Sequence, residues 1–290
     1  MIALNRPMSE EDRQRVASKH QGGENSKRGN RYEDLFATKE VIRLLSEGKP
    51  LQTTSVMGQM ENTFVDDFVI TEGNDLIVYH QCKDDKSLSW NVNAENKIAS
   101  DFRKQEKYSN EWGETFSLVL VHTGRSERLN KQKVPDDLKN TRTEMFPNYG
   151  NVSSMVQQSG SFRSLLGKII GPDASDFDKG VEFGCRIKSI WTENDGMNLP
   201  IPLQTFKDGL TSAQTSFVFI EDLVALPESL SKLCEKFPPL KIVLTKEGVL
   251  TFEYSGMKGQ AVWDPDMEAE LPEVGSESEL IQFFLNHPKR

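Results

Sequence analysis

The chain has 290 residues, which at roughly 150 residues per domain predicts about two domains. Hydrophobic residues make up 36% of the chain and aromatic residues 9%, so the composition excludes wholesale disorder and fibrous repeats. A net charge of -9 argues against a protein that coats nucleic acid nonspecifically, but it leaves open a nuclease whose cleft alone is basic.

The cysteine and hydropathy patterns predict the cellular compartment of the protein. The three cysteines are widely spaced and form no CxxC motif, which predicts neither a disulfide framework nor a structural zinc site. No stretch approaches the roughly 18 consecutive apolar residues that a membrane helix needs, and the first residues are charged where a secretory signal would be apolar. We therefore expect a cytoplasmic protein with no membrane contact.

The N-terminal part of the chain predicts a flexible segment followed by a helix. Residues 1–28 are polar, and the stretch 20–30 contains three glycines and no apolar side chain. From residue 31 to 47 apolar residues recur at helical spacing, and Gly48 and Pro50 then supply a stop. We expect this helix to bury one face.

Two β-rich runs, 64–71 and 76–83, flank four turn-forming residues and predict a β-hairpin. In a strand, alternate side chains share a face. Gln81 and Lys83 are therefore expected on one face of the second strand and His80 on the other. Two polar groups thus lie side by side at the end of an apolar strand.

The rest of the chain predicts an α/β core and a C-terminal extension. Asn93 is suited to cap a second helix around Phe102, and the apolar run 116–121 predicts a buried central strand. Further signals are strands at 216–220, 241–244 and 249–254 and a helix opened by Pro227. The expected domains are a flexible segment at 1–28, a nuclease-like domain at 29–150, and a C-terminal α/β region of unknown role at 151–290.

Five polar residues carry the predicted chemistry: Glu33 on the first helix, Asp66 and Asp67 at the start of the first strand of the hairpin, and Gln81 and Lys83 on its second strand. Across the hairpin, one of the two aspartates lies level with the lysine, and alternation does not decide which. Carboxylate and amide oxygens suit a hard cation such as Mg²⁺, which is usually held by one or two acids plus a substrate phosphate. A lysine beside it orients water or offsets charge on the phosphate.

These residues resemble the PD-(D/E)xK nuclease superfamily. The match consists of GNRYE at 29–33 leading a helix, DDFVI at 66–70 and QCK at 81–83, and it covers roughly residues 28–123. The resemblance implies a restriction-endonuclease-like α/β fold, with a mixed sheet flanked by helices. The QxK variant is most similar to the double-stranded DNA endonuclease domain of anti-phage defence effectors.

The resemblance also implies a role for each residue. Glu33 would contact a metal directly or through water, and Asp67, or alternatively Asp66, would be the main metal ligand. Gln81 would bind the metal where many relatives have Glu or Asp, and Lys83 would be the catalytic lysine. The implied cofactor is Mg²⁺, with Mn²⁺ as an alternative.

Basic residues near this core are candidates for DNA contact, because contacts to the phosphate backbone position a duplex without reading its sequence. Acidic residues are interspersed with them, as on an ordinary solvated helix, and the sequence favours neither interpretation. The candidates are Arg103, Lys104, Lys107, Arg125 and Arg128.

The expected function is metal-dependent hydrolysis of DNA phosphodiester bonds, in a nuclease effector of anti-phage defence. The implied partners are double-stranded DNA, a sensor or ATPase subunit that activates cleavage, or further copies of the chain in a homo-oligomer. Two alternatives remain open. A DNA repair or junction-resolving nuclease would share these residues but cleave structured DNA, and a non-catalytic interaction subunit with a degenerate nuclease fold would suit the neutral Gln81.

Overall fold

A computed structural model describes most of the chain: residues 8–16, 31–73, 76–91, 98–170, 176–194, 199–211, 223–245, 248–255 and 257–264, with scattered positions up to 286. The chain divides into two compact units. The first contains residues 1–166 and 173–210, and the second contains residues 167–172 and 211–290. The predicted strand at 216–220, the Asn93 cap and most of the predicted flexible segment lie outside the described residues.

The helices and strands follow one another along the chain as an alternating series. The helices are α1 (residues 10–16), α2 (Arg31–Ser46), α3 (Ile98–Glu111), α4 (Glu127–Lys131), α5 (Val152–Gln158), α6 (Gly160–Ile170), α7 (Phe177–Asn194), α8 (Leu203–Thr211) and α9 (Glu228–Lys236). The strands are β1 (Thr54–Gly58), β2 (Phe68–Glu72), β3 (Leu76–Lys83), β4 (Thr115–His122), β5 (Thr141–Met145), β6 (Ile201–Pro202), β7 (Leu223–Val224), β8 (Lys241–Thr245), β9 (Val249–Tyr254) and β10 (Met257–Val262).

The first unit is built on a mixed six-stranded sheet with the order β5-β4-β3-β2-β1-β6. Strands β6, β1, β2 and β3 pair antiparallel, whereas β3, β4 and β5 pair parallel. The predicted hairpin is confirmed, and β4 is the buried interior strand that its apolar run predicted. The α/β fold class is therefore confirmed.

Helices cover both faces of this sheet, because the strands bury side chains on both sides. On one face, Phe102 of α3 belongs to a core cluster with Tyr79 of β3. On the other face, Phe36 of α2 lies 5.8 Å from Phe68 and 5.2 Å from His80, measured between ring centroids. His80 and Tyr79 thus point to opposite faces, as strand alternation predicted.

The first unit extends beyond the boundary predicted near residue 150. Strand β6 pairs with β1, and Trp191 Nε1 of α7 donates a hydrogen bond to Asp34 of α2 at 3.3 Å. These contacts join α7 to α2 and β6 to the sheet. At the other end, residues 10–16 of the segment predicted to be flexible form α1, whose Val16 is buried against Phe64.

The second unit has its own core, formed between α9 and an antiparallel sheet of order β10-β9-β8-β7. Leu230 and Leu233 of α9 pack in one cluster with Ile242 and Phe252 of the sheet. Pro227 is the N-cap of α9, and β8 and β9 lie where apolar runs predicted strands. No helix in the described part of either unit is long and apolar enough to cross a membrane.

Candidate metal centre

The two aspartates lie at the end of a buried loop that leads into β2. The run predicted as strand from residue 64 begins only at Phe68, because the preceding residues fold back through a hydrogen bond from the Met60 N–H to the Asp66 carbonyl at 3.2 Å. The loop is anchored to α3, since the Phe64 N–H donates to Gln105 Oε1 at 2.7 Å. Both aspartate side chains are buried.

Asp67 contacts the two side chains, Gln81 and Lys83, that the sequence predicted to lie close to one of the aspartates. Its Oδ2 accepts hydrogen bonds from the Gln81 amide, from the Cys82 N–H at 2.8 Å and from Lys83 Nζ at 3.2 Å. The register that pairs Phe68 with His80 explains this arrangement, because Asp67 then lies level with Gln81. Asp67 is thus the aspartate that contacts the lysine, a choice that alternation alone had left open.

Gln81 contacts Asp67 through its amide nitrogen. The role of metal ligand that the resemblance implies for Gln81 would use the amide oxygen, which this hydrogen bond does not involve. The side chain of Lys83 is 36% exposed, so the lysine is only partly buried. Burial alone would lower the pKa of Lys83, but the carboxylates of Asp67, Glu33 and Asp66 outweigh it and raise the pKa. The lysine is therefore cationic near neutral pH.

Glu33 lies in the first turn of α2, close enough to the aspartates for their charges to matter. Burial, and then the negative charges of Asp67 and Asp66, raise the pKa of Glu33 to about 8 against the opposing effect of Lys83. Gln59 Nε2 lies 3.5 Å from Glu33 Oε2. Gln59 has a left-handed backbone with φ 48°, a conformation that side chains other than glycine adopt at a cost and that is frequent at functional sites.

The donor set of this centre fits a hard divalent cation. Three carboxylates lie within electrostatic reach of one lysine, and burial, followed by the charges of Asp67 and Asp66, raises the pKa of Glu33. Oxygen ligands of this kind suit Mg²⁺ or Mn²⁺. Within the described residues, no group of three or more His, Cys, Asp or Glu side chains is arranged to hold a metal ion. Mg²⁺ is commonly held by only one or two acids with water and substrate phosphate, so an open site remains compatible.

The basic residues predicted on α3 are engaged by acids of the same chain. Arg103 Nε lies 2.5 Å from Asp137 Oδ2, and Lys104 forms an ion pair with Asp12 of α1. Helix α1 therefore covers part of the surface that Lys104 was expected to offer to DNA. Lys107 remains exposed on the last turns of α3. The structure does not bring these three residues to the Asp67 centre.

The other two predicted DNA contacts lie beyond the end of β4. Arg125 forms an ion pair with Asp84 at 3.3 Å, and Arg128 is exposed on α4. Asp84 was missed by sequence reasoning, as was Asn148, which donates to it at 2.8 Å. The position of Asp84 directly after Lys83 was an available signal, because ligand sites in open α/β sheets lie at the carboxyl ends of strands.

Comparisons with protein-family models, with curated proteins and with solved structures found no match. The assignment of a function therefore depends on the side chains of the first unit. What they offer is a carboxylate fixed by three donors, a charged and partly exposed lysine, and two further acids within electrostatic reach.

Proposed function

We propose that the protein is a metal-dependent endonuclease that hydrolyses phosphodiester bonds of double-stranded DNA. The observation that carries the proposal is the shared contact of Gln81 and Lys83 with one oxygen of Asp67, at the end of two paired strands. The motifs that resemble the PD-(D/E)xK superfamily supply these side chains, and the α/β sheet supports the same assignment.

Asp67 and Glu33 would hold the cation in this proposal. When bound, Mg²⁺ supplies positive charge to the phosphodiester and favours water as the nucleophile. Gln81 fixes the Asp67 carboxylate through its amide N–H, which leaves the second carboxylate oxygen as the atom for the metal. Asp66 adds negative charge from a buried position and thereby raises the affinity of the site for a cation.

Lys83 would act as a positive charge and hydrogen-bond donor toward the phosphate. The raised pKa of Lys83 keeps its ammonium protonated, so the lysine is poorly suited to remove a proton from water. A fixed cation beside the developing negative charge of the transition state is instead an electrostatic contribution, and removing one such group typically costs about 10²–10³ in rate.

The test is cleavage of a supercoiled plasmid with Mg²⁺ or Mn²⁺ at several protein concentrations. Lys83→Ala is expected to lower the cleavage rate by roughly 100-fold or more, and Asp67→Ala to abolish cleavage. The matched control is Lys49→Ala. Lys49 forms a lysine–carboxylate pair with Glu72 at 2.5 Å, at the far end of the same hairpin, so its removal is expected to leave cleavage unchanged.

One observation favours a second candidate, a non-catalytic subunit with a degenerate nuclease fold. Asp67 Oδ2 is fully engaged by donors of its own chain, as in an internal structural pair. This candidate predicts that wild type and Lys83→Ala behave alike on plasmid at every protein concentration. Equal behaviour would end the endonuclease proposal. A junction-resolving nuclease would instead cut branched DNA in preference to linear duplex in the same assay.

A further inference from the structure

A second polar cluster lies at the carboxyl ends of the parallel strands β3, β4 and β5. Its centre is Asp84, the residue after Lys83. Asp84 accepts hydrogen bonds from Thr123 Oγ1 at 2.9 Å, from Asn148 Nδ2 at 2.8 Å and from Arg125 Nη1 at 3.4 Å. One carboxylate thus ties together the segments that follow three neighbouring strands.

The backbone around Arg125 is fixed by contacts on both sides. Gly124 has φ +76°, and a Cβ there would come within 2.9 Å of Met145 Sδ, so the tight turn before Arg125 requires glycine. Asn130 donates to the Gly124 carbonyl at 2.8 Å. Ser126 then caps α4 and donates to the Leu88 carbonyl at 2.6 Å. The backbone that carries the Arg125 side chain is therefore held in a defined position.

The chemistry of Arg125 suits a phosphate ligand. Its side chain is 53% exposed, and only its Nη1 contacts Asp84. A guanidinium carries five N–H donors in a planar fork, so donors remain for a phosphate group after one contact with a carboxylate. A carboxylate that holds one edge of the fork reduces the conformational freedom that binding must otherwise remove.

The position of Arg125 relates it to the candidate metal centre. Strands β3 and β4 pair in parallel with Lys83 opposite His122, so the residues after them emerge at the same edge of the sheet. Asp84 directly follows β3, and Arg125 lies in the segment that follows β4. A DNA backbone seated on Lys83 would continue along this edge, and its adjacent phosphates would pass the Asp84 cluster.

We propose that Arg125 binds a backbone phosphate next to the cleaved one, and that Asp84 is a positioning residue that orients Arg125. The inference rests on the proposed function, because it takes a DNA duplex at Lys83 as the substrate. Such a contact fixes the duplex over the metal centre without reading its sequence. Asn148 and Thr123 hold the Asp84 carboxylate in place for this task.

The first test measures binding of a short fluorescent DNA duplex without metal, over a range of salt concentrations. Arg125→Ala is expected to weaken the affinity roughly tenfold and to reduce the slope of log affinity against log salt by about 1. The control is Lys49→Ala, which removes a positive charge paired with Glu72 at the far end of the hairpin and is expected to change both quantities much less. Equal binding by wild type and Arg125→Ala would overturn the proposal.

The second test uses Asp84→Asn, for which two explanations predict opposite signs. By charge alone, removing an acid near DNA strengthens binding. If Asp84 orients Arg125, binding weakens severalfold and Arg125→Ala adds little to the double variant, since both changes remove one contact. Tighter binding by Asp84→Asn would overturn the positioning role. Asp84→Asn keeps the size of the side chain and one of its two oxygen acceptors, and thermal denaturation of the variant checks that the fold is retained.

The failures of the two proposals are distinguishable. Binding that depends on Arg125, without plasmid cleavage by wild type in Mg²⁺ or Mn²⁺, would end the endonuclease proposal and keep this site as a DNA contact. Cleavage that depends on Lys83, with unchanged binding in Arg125→Ala, would keep the endonuclease and remove Arg125 from the interface.

Discussion

Helix α2 contributes to two charged clusters of opposite character. The acid-rich cluster, at the start of the helix, consists of Glu33, Asp66, Asp67 and Lys83. The balanced cluster, one to three turns later, consists of Lys39, Glu40, Arg43 and Glu144. The first sets three acids against one base, whereas in the second Glu40 and Glu144 face two bases and the more exposed Glu47 also pairs with Arg43.

The pKa values of Glu40, in the balanced cluster, and Glu33, in the acid-rich cluster, are shifted in opposite directions. Burial raises the pKa of Glu40, but Lys39 at 2.6 Å and Arg43 at 2.9 Å outweigh it and hold the pKa below its usual value. Glu33, by contrast, has its pKa raised to about 8 by burial and by neighbouring carboxylates. The balanced cluster is thus complete and supports the fold. The acid-rich cluster lacks positive charge, as expected of a site that binds a cation.

The largest expected effect is in the balanced cluster. Glu40→Gln leaves Lys39 and Arg43 short of negative charge in a buried setting, and we expect the free energy of unfolding to fall by about 3–5 kcal/mol. Urea denaturation measures this change. Glu47→Gln is the matched control, because Glu47 pairs with the same Arg43 at 2.7 Å yet is 39% exposed, against 3% for Glu40. A control that costs as much as Glu40→Gln would contradict the interpretation.

Sequence could predict the acid-rich cluster because its geometry follows from strand alternation and a short hairpin. Gln81 and Lys83 share a face by their spacing, and Asp67 reaches them across a tight connection. The balanced cluster could not be predicted in the same way. Lys39 and Glu144 are separated by 105 residues, and their contact depends on β5 pairing beside β4.

Contacts between residues far apart in the sequence also explain why two other features were not predicted. Lys104 is paired with Asp12, a partner 92 residues away on a helix inside a polar segment. The unit boundary near 210, where 150 had been predicted, depends on β6, a strand of only two residues that carries almost no pattern. Local spacing thus predicted the acid-rich cluster, whereas the long-range pairings could be seen only in the tertiary structure.

The second prediction adds charge to the acid-rich cluster. Gln81→Glu replaces the amide donor to Asp67 with a fourth carboxylate, so we expect the free energy of unfolding without metal to fall by about 2 kcal/mol. Saturating Mg²⁺ is expected to restore more stability in this variant than in wild type, because binding of a cation to the folded state stabilises it. Thermal denaturation with and without Mg²⁺ measures both effects. The same response in wild type and variant would argue against a cation site here.

The third prediction is a variant that raises the free energy of unfolding, whereas the first two variants lower it. Since the folded state raises the pKa of Glu33 from 4.5 to about 8, the folded protein binds a proton that the unfolded chain releases. The associated stability is complete below pH 4.5 and is lost as the pH rises to about 8. Glu33→Gln removes this loss, so at pH 8 without metal we expect the variant to be more stable by on the order of 1 kcal/mol.

Urea denaturation of wild type and Glu33→Gln across this pH range measures the difference. We expect it to grow from pH 4.5 to 8 and then to level off. Glu47→Gln again serves as control, because its carboxylate is exposed and already paired with Arg43. Destabilisation by Glu33→Gln at pH 8 would show that Glu33 supports the fold as Glu40 does, and the contrast between the clusters would disappear.

The smallest expected effect is that of Arg43→Lys, which distinguishes the contribution of charge balance from that of hydrogen-bond geometry. Arg43→Lys keeps the positive charge of the balanced cluster but loses part of the fork that reaches Glu40 at 2.9 Å and Glu47 at 2.7 Å. If charge balance is the main contribution, the free energy of unfolding falls by only about 0.5–1 kcal/mol, well below the cost of Glu40→Gln. Urea denaturation of the two variants side by side tests this. Equal costs would mean that the hydrogen-bond geometry of Arg43 holds the cluster together, and that counting charges does not distinguish a structural cluster from a binding site.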